Sequence, residues 1–217
     1  MPIEPIRCRV ITWEESYALA RDLATKVRAS GFRPTVIVAI GRGGYVPGRV
    51  VADFLLLSAL TSIRIEHYGS AADKKDRTQI CYPLVADVAQ QDVLIVDDLT
   101  DTGETLALAA DYVRTFGARE VRTAALQHKA TSPYVPDFYV EYLPDWNWIV
   151  YPWALFEDAV GFIQKILSRQ EGNVQEIRER VGTTYDLWLD DMMVREALER
   201  LVTMGKAQKN GDFFCTV

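Results

Sequence analysis

The stretch VLIVDDLTDTGETL, from Val93 to Leu106, decides the fold of this chain of 217 residues. It opens with a continuous apolar run without alternation, which predicts a strand buried on both faces over residues 93–98, as in a parallel sheet. A short loop rich in threonine and glycine follows, and then an amphipathic segment that Gly117 ends, which predicts a helix over residues 103–116. A buried strand that runs through a short loop into a helix is a building unit of α/β folds.

The same alternation of strands and helices extends outward from this stretch. A helix is predicted from Trp13 to the stop at Gly31. The other predicted elements are strands at residues 35–40, 62–67 and 121–126 and a helix at residues 46–57. Strands that alternate with helices imply right-handed crossovers, so we predict an α/β fold with a mainly parallel sheet flanked by helices.

The composition of the chain changes after Gln170. Helices are predicted over residues 174–181 and 191–204, followed by a hairpin around Asn210-Gly211. We therefore predict two domains, residues 1–170 and a small winged-helix-like α+β appendage at residues 171–217. The appendage has more acidic than basic side chains, which favours packing or oligomerisation over contact with DNA.

The overall composition limits the classes of protein to consider. The chain is 49% hydrophobic and 25% charged, which excludes wholesale disorder, and its net charge of −6 does not favour nucleic acid or an anionic membrane surface. No apolar run approaches the roughly 18 residues that span a bilayer. Because the start MPIEPIRCRV lacks the apolar stretch of a signal peptide, we expect a cytoplasmic protein with no membrane partner.

The acidic pair Asp97 and Asp98 follows the apolar run at the carboxyl end of the predicted strand, where ligands bind in open α/β sheets. The loop after it offers small side chains, hydroxyls and backbone N–H groups at a helix N-terminus, which predicts a phosphate cradle. The cradle residues are Thr102, Gly103, Glu104 and Thr105. Because a phosphate repels carboxylates, the aspartates must face sugar hydroxyls or a divalent cation. A ribose 5-phosphate satisfies both requirements.

A second motif, AIGRGGYVPGR, ends the other buried strand with Arg42 and two glycines. Glycine lets the backbone approach a ligand closely, and the guanidinium of Arg42 offers a fork of donors for phosphate oxygens. Taken alone, this motif is also compatible with a simple turn. A Walker-type phosphate loop is excluded because the sequence has no GxxxxGK[ST].

The two motifs together resemble those of the type I phosphoribosyltransferases over roughly residues 7–165. In that family the strand, acidic pair and TG loop bind phosphoribosyl pyrophosphate. The resemblance implies that Asp97 and Asp98 hold the ribose and its metal shell, with Asp98 as the contact to Mg²⁺. It implies that Arg42 and Gly43 hold pyrophosphate, in a loop where the family often has a cis peptide; the matching bond here is the one between Arg42 and Gly43. It also identifies Gly69–Thr78 as a mobile flap.

Within the family, the chain resembles the hypoxanthine and xanthine-guanine enzymes. Asp101 stands where 6-oxopurine enzymes carry an aspartate that faces N7 of the base, and a carboxylate there can act as a general base. In the stretch from His128 to Trp153, the resemblance implies that Lys129 donates to O6 of the purine and that Trp148 stacks on its ring. The backbone at Ile149 then reads the ring edge.

Two neighbouring tryptophans, Trp146 and Trp153, are interpreted as packing residues. The Pro-Trp pair that ends at Trp153 is followed by Ala154, where some relatives have an acidic residue. The sequence leaves open whether Glu157 or Asp158 takes the place of that residue.

The resemblance implies an enzyme that transfers 5-phosphoribose from phosphoribosyl pyrophosphate to a 6-oxopurine in purine salvage. Hypoxanthine, guanine and xanthine remain unranked. Mg²⁺ is the implied cofactor, and we expect a homo-oligomer, a dimer or larger. The alternative is a regulator that senses phosphoribosyl pyrophosphate and contacts nucleic acid through the C-terminal appendage. A pyrimidine enzyme of the same fold is a third reading, against which Asp101, Lys129 and Trp148 argue.

Overall fold

The computed structural model describes residues 6–68 and 77–217, which form six helices and ten strands. In chain order these elements are β1 (Cys8–Val10), α1 (Trp13–Ala29), β2 (Val36–Ile40), α2 (Tyr45–Phe54), β3 (Leu60–Tyr68), β4 (Arg77–Tyr82), β5 (Asp92–Thr100), α3 (Glu104–Arg114), β6 (Glu120–Lys129), β7 (Phe138–Leu143), β8 (Trp148–Val150), α4 (Leu155–Leu167), α5 (Val174–Tyr185), α6 (Asp191–Thr203), β9 (Ala207–Asn210) and β10 (Phe213–Thr216). None of the helices in the described part of the chain is both long and apolar enough to cross a lipid bilayer.

The chain forms two compact units. The first consists of Met1–Thr12 and Asn147–Val217, and the second is Trp13–Trp146. The first unit therefore combines two separate segments of the chain, and the second is the segment between them. The predicted domain boundary after Gln170 stays a prediction.

The second unit contains a six-stranded sheet in the order β4-β3-β2-β5-β6-β7. All neighbouring strands pair in parallel except β3 and β4, which are antiparallel. Every residue of β2 is buried, as is the run from Val93 to Asp97 in β5, because the apolar residues on both faces of these central strands are covered. The predicted α/β fold with a mainly parallel sheet is therefore confirmed.

The main difference from the predicted elements is the length of β5. The strand was expected to end at the acidic pair, but it continues to Thr100 and pairs with β6 as far as Thr100 opposite His128. Asp97 and Asp98 therefore lie within the strand, on successive residues that point to opposite faces of the sheet. The predicted flap falls mostly on residues 69–76, which lie outside the described residues; Thr78 belongs to β4.

The first unit is built around α4, α5, α6 and the β9–β10 hairpin. Residues from all of these elements share one hydrophobic core with Cys8 of β1, and β1 pairs in parallel with β8. A capping box between Asn173 and Glu176 begins α5. The predicted hairpin at Asn210-Gly211 is confirmed, with Gly211 at a positive φ of 61° in its turn.

The packing of α6 predicts which of its side chains stabilise the first unit. Leu198 is 0% exposed in its core, so Leu198→Ala should leave a cavity and lower the free energy of unfolding by about 2–5 kcal/mol. On the same helix Met192 is 74% exposed, and Met192→Ala should change stability by no more than about 0.5 kcal/mol. Urea unfolding of both variants measures the difference. Equal effects of the two substitutions would contradict the packing described for α6.

Candidate phosphoribosyl pyrophosphate site

The carboxyl ends of β2 and β5 bring the two glycine-containing motifs together. The loop after β2 approaches β5 so closely that a Cβ added at Gly44 would lie 2.2 Å from the carbonyl oxygen of Val96. A Cβ added at Gly43 would lie 2.6 Å from Oδ1 of Asp98. Only glycine permits both approaches. The structure therefore places Gly43 directly against the Asp98 carboxylate.

Arg42, the predicted pyrophosphate ligand, is exposed at the start of this loop. Its φ is +82°, a left-handed conformation that is uncommon for residues other than glycine and costs of the order of 1–2 kcal/mol. The peptide bond between Arg42 and Gly43 is trans, so the expectation of a cis bond is wrong for this chain.

The two aspartates of the acidic pair lie in different environments. Asp97 is buried, and its Oδ1 accepts a hydrogen bond of 3.0 Å from the backbone N–H of Asp98, which is half-buried. Burial and, next, the negative charge of Asp98 raise the pKa of Asp97 well above its usual value, although the hydrogen bond opposes the shift. The end of β5 thus presents one carboxylate to the sheet interior and one to the glycine loop.

The predicted phosphate cradle lines a cleft of about 340 Å³. Gly103 is the N-cap of α3 with φ +80°, and as a glycine it has no side chain with which to cap the helix. The first turn of α3 lies beside the cleft. The lining residues are Asp97, Leu99, Thr100, Asp101, Thr102, Gly103, Glu104, Thr105 and Leu106.

Contacts to neighbouring segments, which the local sequence pattern does not predict, hold the cradle loop in place. A Cβ added at Gly103 would lie 2.4 Å from Cβ of Tyr134 and 2.6 Å from Oγ of Ser132, in the segment after β6. On the other side, Oγ1 of Thr78 donates to Oε2 of Glu104 at 3.0 Å. The glycine of the TG motif was a signal for close packing, but its partners were not visible in the sequence.

Asp101 and Lys129, predicted to contact adjacent atoms of the base, are brought together. Nζ of Lys129 lies 3.2 Å from Oδ1 of Asp101, and the lysine side chain is only 3% exposed. The hydroxyl of Thr131 donates to the backbone carbonyl of Asp101 at 3.1 Å. The Lys129 ammonium also lies 5.0 Å from the ring centroid of Trp146, which was interpreted as a packing residue.

The remaining predicted base contacts, Trp148 and Ile149, belong to the first unit, on β8. The indole of Trp148 is partly exposed and makes an edge contact with Phe162 at 6.0 Å between centroids, while Ile149 is buried. Trp153 stacks on Tyr151 at 4.7 Å, in keeping with a packing role. Glu157 and Asp158 lie in the first turn of α4.

The acidic residues of the site do not form a closed metal cage. Within the described ranges, no group of three or more His, Cys, Asp or Glu side chains could hold a metal ion. Asp98 offers oxygen ligands of the kind Mg²⁺ prefers, and Mg²⁺ is commonly held by one or two carboxylates together with substrate oxygens. The donor set therefore fits an ion that is bound jointly with a phosphorylated ligand.

Comparison with known proteins identifies the family to which the chain belongs. The phosphoribosyl transferase domain matches residues 9–157. The chain is 31% identical over 155 residues to a xanthine-guanine phosphoribosyltransferase of Ruegeria sp. (strain TM1040), over 67% of this chain and 84% of the relative. It is 27% identical over 169 residues to a protein of the same name from Gluconobacter oxydans (strain 621H), over 78% and 95% of the two chains.

A solved structure agrees with these relatives. The purine phosphoribosyltransferase from Pyrococcus horikoshii Ot3 aligns with a TM-score of 0.60 and 32% identity, covering 67% of this chain and 93% of that one. The chain therefore belongs to the phosphoribosyl transferase family. The predictions of this family, of its fold and of an enzyme are confirmed. The family match ends at residue 157, before α5, α6 and the hairpin.

Gly103 provides a test of how tightly the cradle loop is packed. Gly103→Ala combines strain at φ +80° with the clash against Tyr134, so the variant should lose stability. Gly117→Ala is a matched control because Gly117 has φ +74° and nothing within 4 Å of an added Cβ. We expect Gly103→Ala to cost about 1–3 kcal/mol more than Gly117→Ala in chemical denaturation. Equal costs would show that the loop is free to move away from Tyr134.

The raised pKa of Asp97 predicts how an Asp97 substitution changes stability at different pH values. The pKa of Asp97 is raised above its usual 3.8 in the folded protein, so the folded state holds the proton of this carboxyl more tightly than the unfolded chain does. The stabilisation from this difference is fully present below pH 3.8 and is lost as the pH rises through the folded pKa. Asp97→Asn should therefore stabilise the protein near pH 8, by about 0.5–2 kcal/mol, with a gain that shrinks toward pH 4.

Thermal unfolding from pH 4.5 to 8 measures this dependence, with Asp22→Asn as control because Asp22 is exposed on α1. A gain for Asp97→Asn that does not change with pH would contradict a raised pKa at this position.

Proposed function

We propose that this enzyme transfers 5-phosphoribose from phosphoribosyl pyrophosphate to N9 of a 6-oxopurine, namely hypoxanthine, guanine or xanthine, and so serves purine salvage. The observation that carries the proposal is the pairing of Lys129 with Asp101 at 3.2 Å beside the cleft. It supplies a hydrogen-bond donor next to an acceptor, and both side chains come from elements that end at the same edge of the sheet.

This donor–acceptor pair complements one edge of a 6-oxopurine. On that edge O6 is an acceptor, and N7 carries a proton in the N7–H tautomer of the free base. Adenine has an amino group in place of O6, which would meet the Lys129 ammonium donor to donor. The pair therefore favours oxopurines over aminopurines. The names of the relatives, xanthine-guanine and purine phosphoribosyltransferases, support a purine acceptor.

The roles at the donor substrate follow from the elements around the cleft. We assign the 5-phosphate to the backbone N–H groups at the start of α3, from Thr102 to Thr105, where the helix dipole favours an anion. The Asp97–Asp98 pair is assigned to the ribose hydroxyls. Arg42 and Gly43 are assigned to the pyrophosphate, which can approach the loop backbone closely because Gly43 has no side chain.

Mg²⁺ is the proposed cofactor, with Asp98 as its contact in the protein. When bound, the ion would neutralise charge on the pyrophosphate leaving group. Gly43 and the Asp98 carboxylate are neighbours, so the proposed pyrophosphate loop and the proposed metal contact lie side by side. We further propose a cytoplasmic enzyme that works as a homo-oligomer.

In the proposed reaction, N9 of the base forms a bond to the anomeric carbon while the bond from that carbon to the pyrophosphate oxygen breaks. The electron pair of the broken bond leaves with pyrophosphate. Asp101 accepts the proton from N7 as the base becomes bonded at N9. Lys129 holds O6, and the hydroxyl of Thr131 holds the backbone of Asp101. Trp148 is the proposed stacking surface for the ring, and Ile149 the proposed backbone contact to its edge.

Asp101→Asn tests both the reaction and this role. The asparagine keeps the shape of the side chain but removes the base, so turnover with 6-oxopurines should fall by about 10²- to 10⁴-fold. The Michaelis constant for phosphoribosyl pyrophosphate should stay within about threefold, because we assign that substrate mainly to backbone donors. The measurement is a spectrophotometric panel of hypoxanthine, guanine, xanthine, adenine and pyrimidines with phosphoribosyl pyrophosphate and Mg²⁺.

Asp111→Asn is the control, since it removes an exposed carboxylate from α3. Wild-type turnover with none of the oxopurines would overturn the proposed function. If wild-type turnover is present and falls less than threefold in Asp101→Asn, with chemistry rate-limiting, Asp101 is not the base.

A further inference from the structure

Lys129 carries a positive charge that is almost fully buried, and such a charge is costly unless nearby groups compensate it. In the described part of the chain, Asp101 is the one carboxylate in ion-pair contact with it. The other close group is the indole of Trp146, whose ring centroid lies 5.0 Å from Nζ. That distance is within the range of a cation–π interaction.

The two groups that compensate the Lys129 charge differ in whether base binding draws them away from it. Asp101 lies on a loop, its side chain is 47% exposed, and in the proposed function it turns to the N7 proton of the base. An ammonium held by Asp101 alone would lose its compensation as the base binds. The indole face is neutral and does not compete for the proton.

We propose that Trp146 is a positioning residue that holds the Lys129 ammonium beside Asp101 and thereby sets the affinity for the purine base. This inference rests on the proposed function and adds a residue to it. Trp146 is itself half-exposed, so burial of its own surface does not explain its place beside the lysine. Tryptophan is also the aromatic residue that binds a cation most strongly.

Two substitutions separate this role from simple packing. Trp146→Leu removes the π face, and we expect the Michaelis constant for the base to rise about two- to thirtyfold, while that for phosphoribosyl pyrophosphate changes less than twofold. Trp146→Phe keeps a weaker π face and should recover part of the loss. Trp188→Leu is the matched control, because Trp188 is an exposed tryptophan whose indole donates to Asp186.

A readout without substrate tests the contact itself. In ¹H–¹³C spectra of lysine-labelled protein, the Hε protons of Lys129, assigned with Lys129→Gln, should be shifted upfield by the indole ring current. The shift should vanish in Trp146→Leu and persist in Trp188→Leu. Absence of the shift in the wild type would overturn the proposal even if the enzyme uses no oxopurine, a result that would count separately against the proposed function.

Where the wild type does use oxopurines, the kinetic arm decides the consequence for base binding. An unchanged Michaelis constant for the base in Trp146→Leu, or an equal rise for both substrates, would overturn the proposal. A selective rise for the base with partial recovery in Trp146→Phe supports it.

Discussion

The parallel pairing of β2 with β5 at the centre of the sheet is the constraint on which the candidate site depends. Parallel strands end at the same edge, so this pairing brings the glycine loop after β2 to the acidic pair in β5. The contact tolerates no side chain at Gly43 or Gly44, since an added Cβ would meet Asp98 or the carbonyl of Val96. Without this approach the two motifs would be separate features rather than one site.

The site gathers polar groups that an apolar core would avoid. Asp97 is buried with a raised pKa, Lys129 is a buried cation, and Arg42 adopts a positive φ. Each of these features costs stability, and the surrounding packing of the central strands maintains them. The costs are concentrated at one edge of the sheet, while β2 and the run from Val93 to Val96 in β5 are uniformly apolar. This distribution is the pattern expected of a site kept for binding and chemistry.

The sequence predicted the parts of this arrangement that are local. The apolar run before Asp97, the turn residues and the helix after Gly103 are encoded within a short stretch, so their conformations follow from periodicity and glycine placement. The length of β5 was wrong because hydrogen bonding to β6, a distant segment, extends the strand to Thr100. The cis bond expected from the family was wrong for this chain: the bond between Arg42 and Gly43 is trans, and Arg42 has a positive φ.

Long-range partners could not be predicted from local patterns. The meeting of Lys129 with Asp101 depends on the register of β6 against β5. Thr100, the last residue of β5, lies opposite His128, so Asp101 in the following loop and Lys129 at the end of β6 come to the same edge.

The place of Trp146 beside that cation depends on the path of the segment after β7, and a tryptophan in a polar stretch gives no signal of its partner. Which side chains lie near one another at this edge is thus set by the pairing of all the strands in the sheet. A substitution at one of these positions can therefore alter the position of its neighbours as well as the local chemistry. The proposed roles of Asp101, Lys129 and Trp146 are therefore best separated by three readouts: proton transfer from N7, the contact to O6 and the lysine Hε resonances.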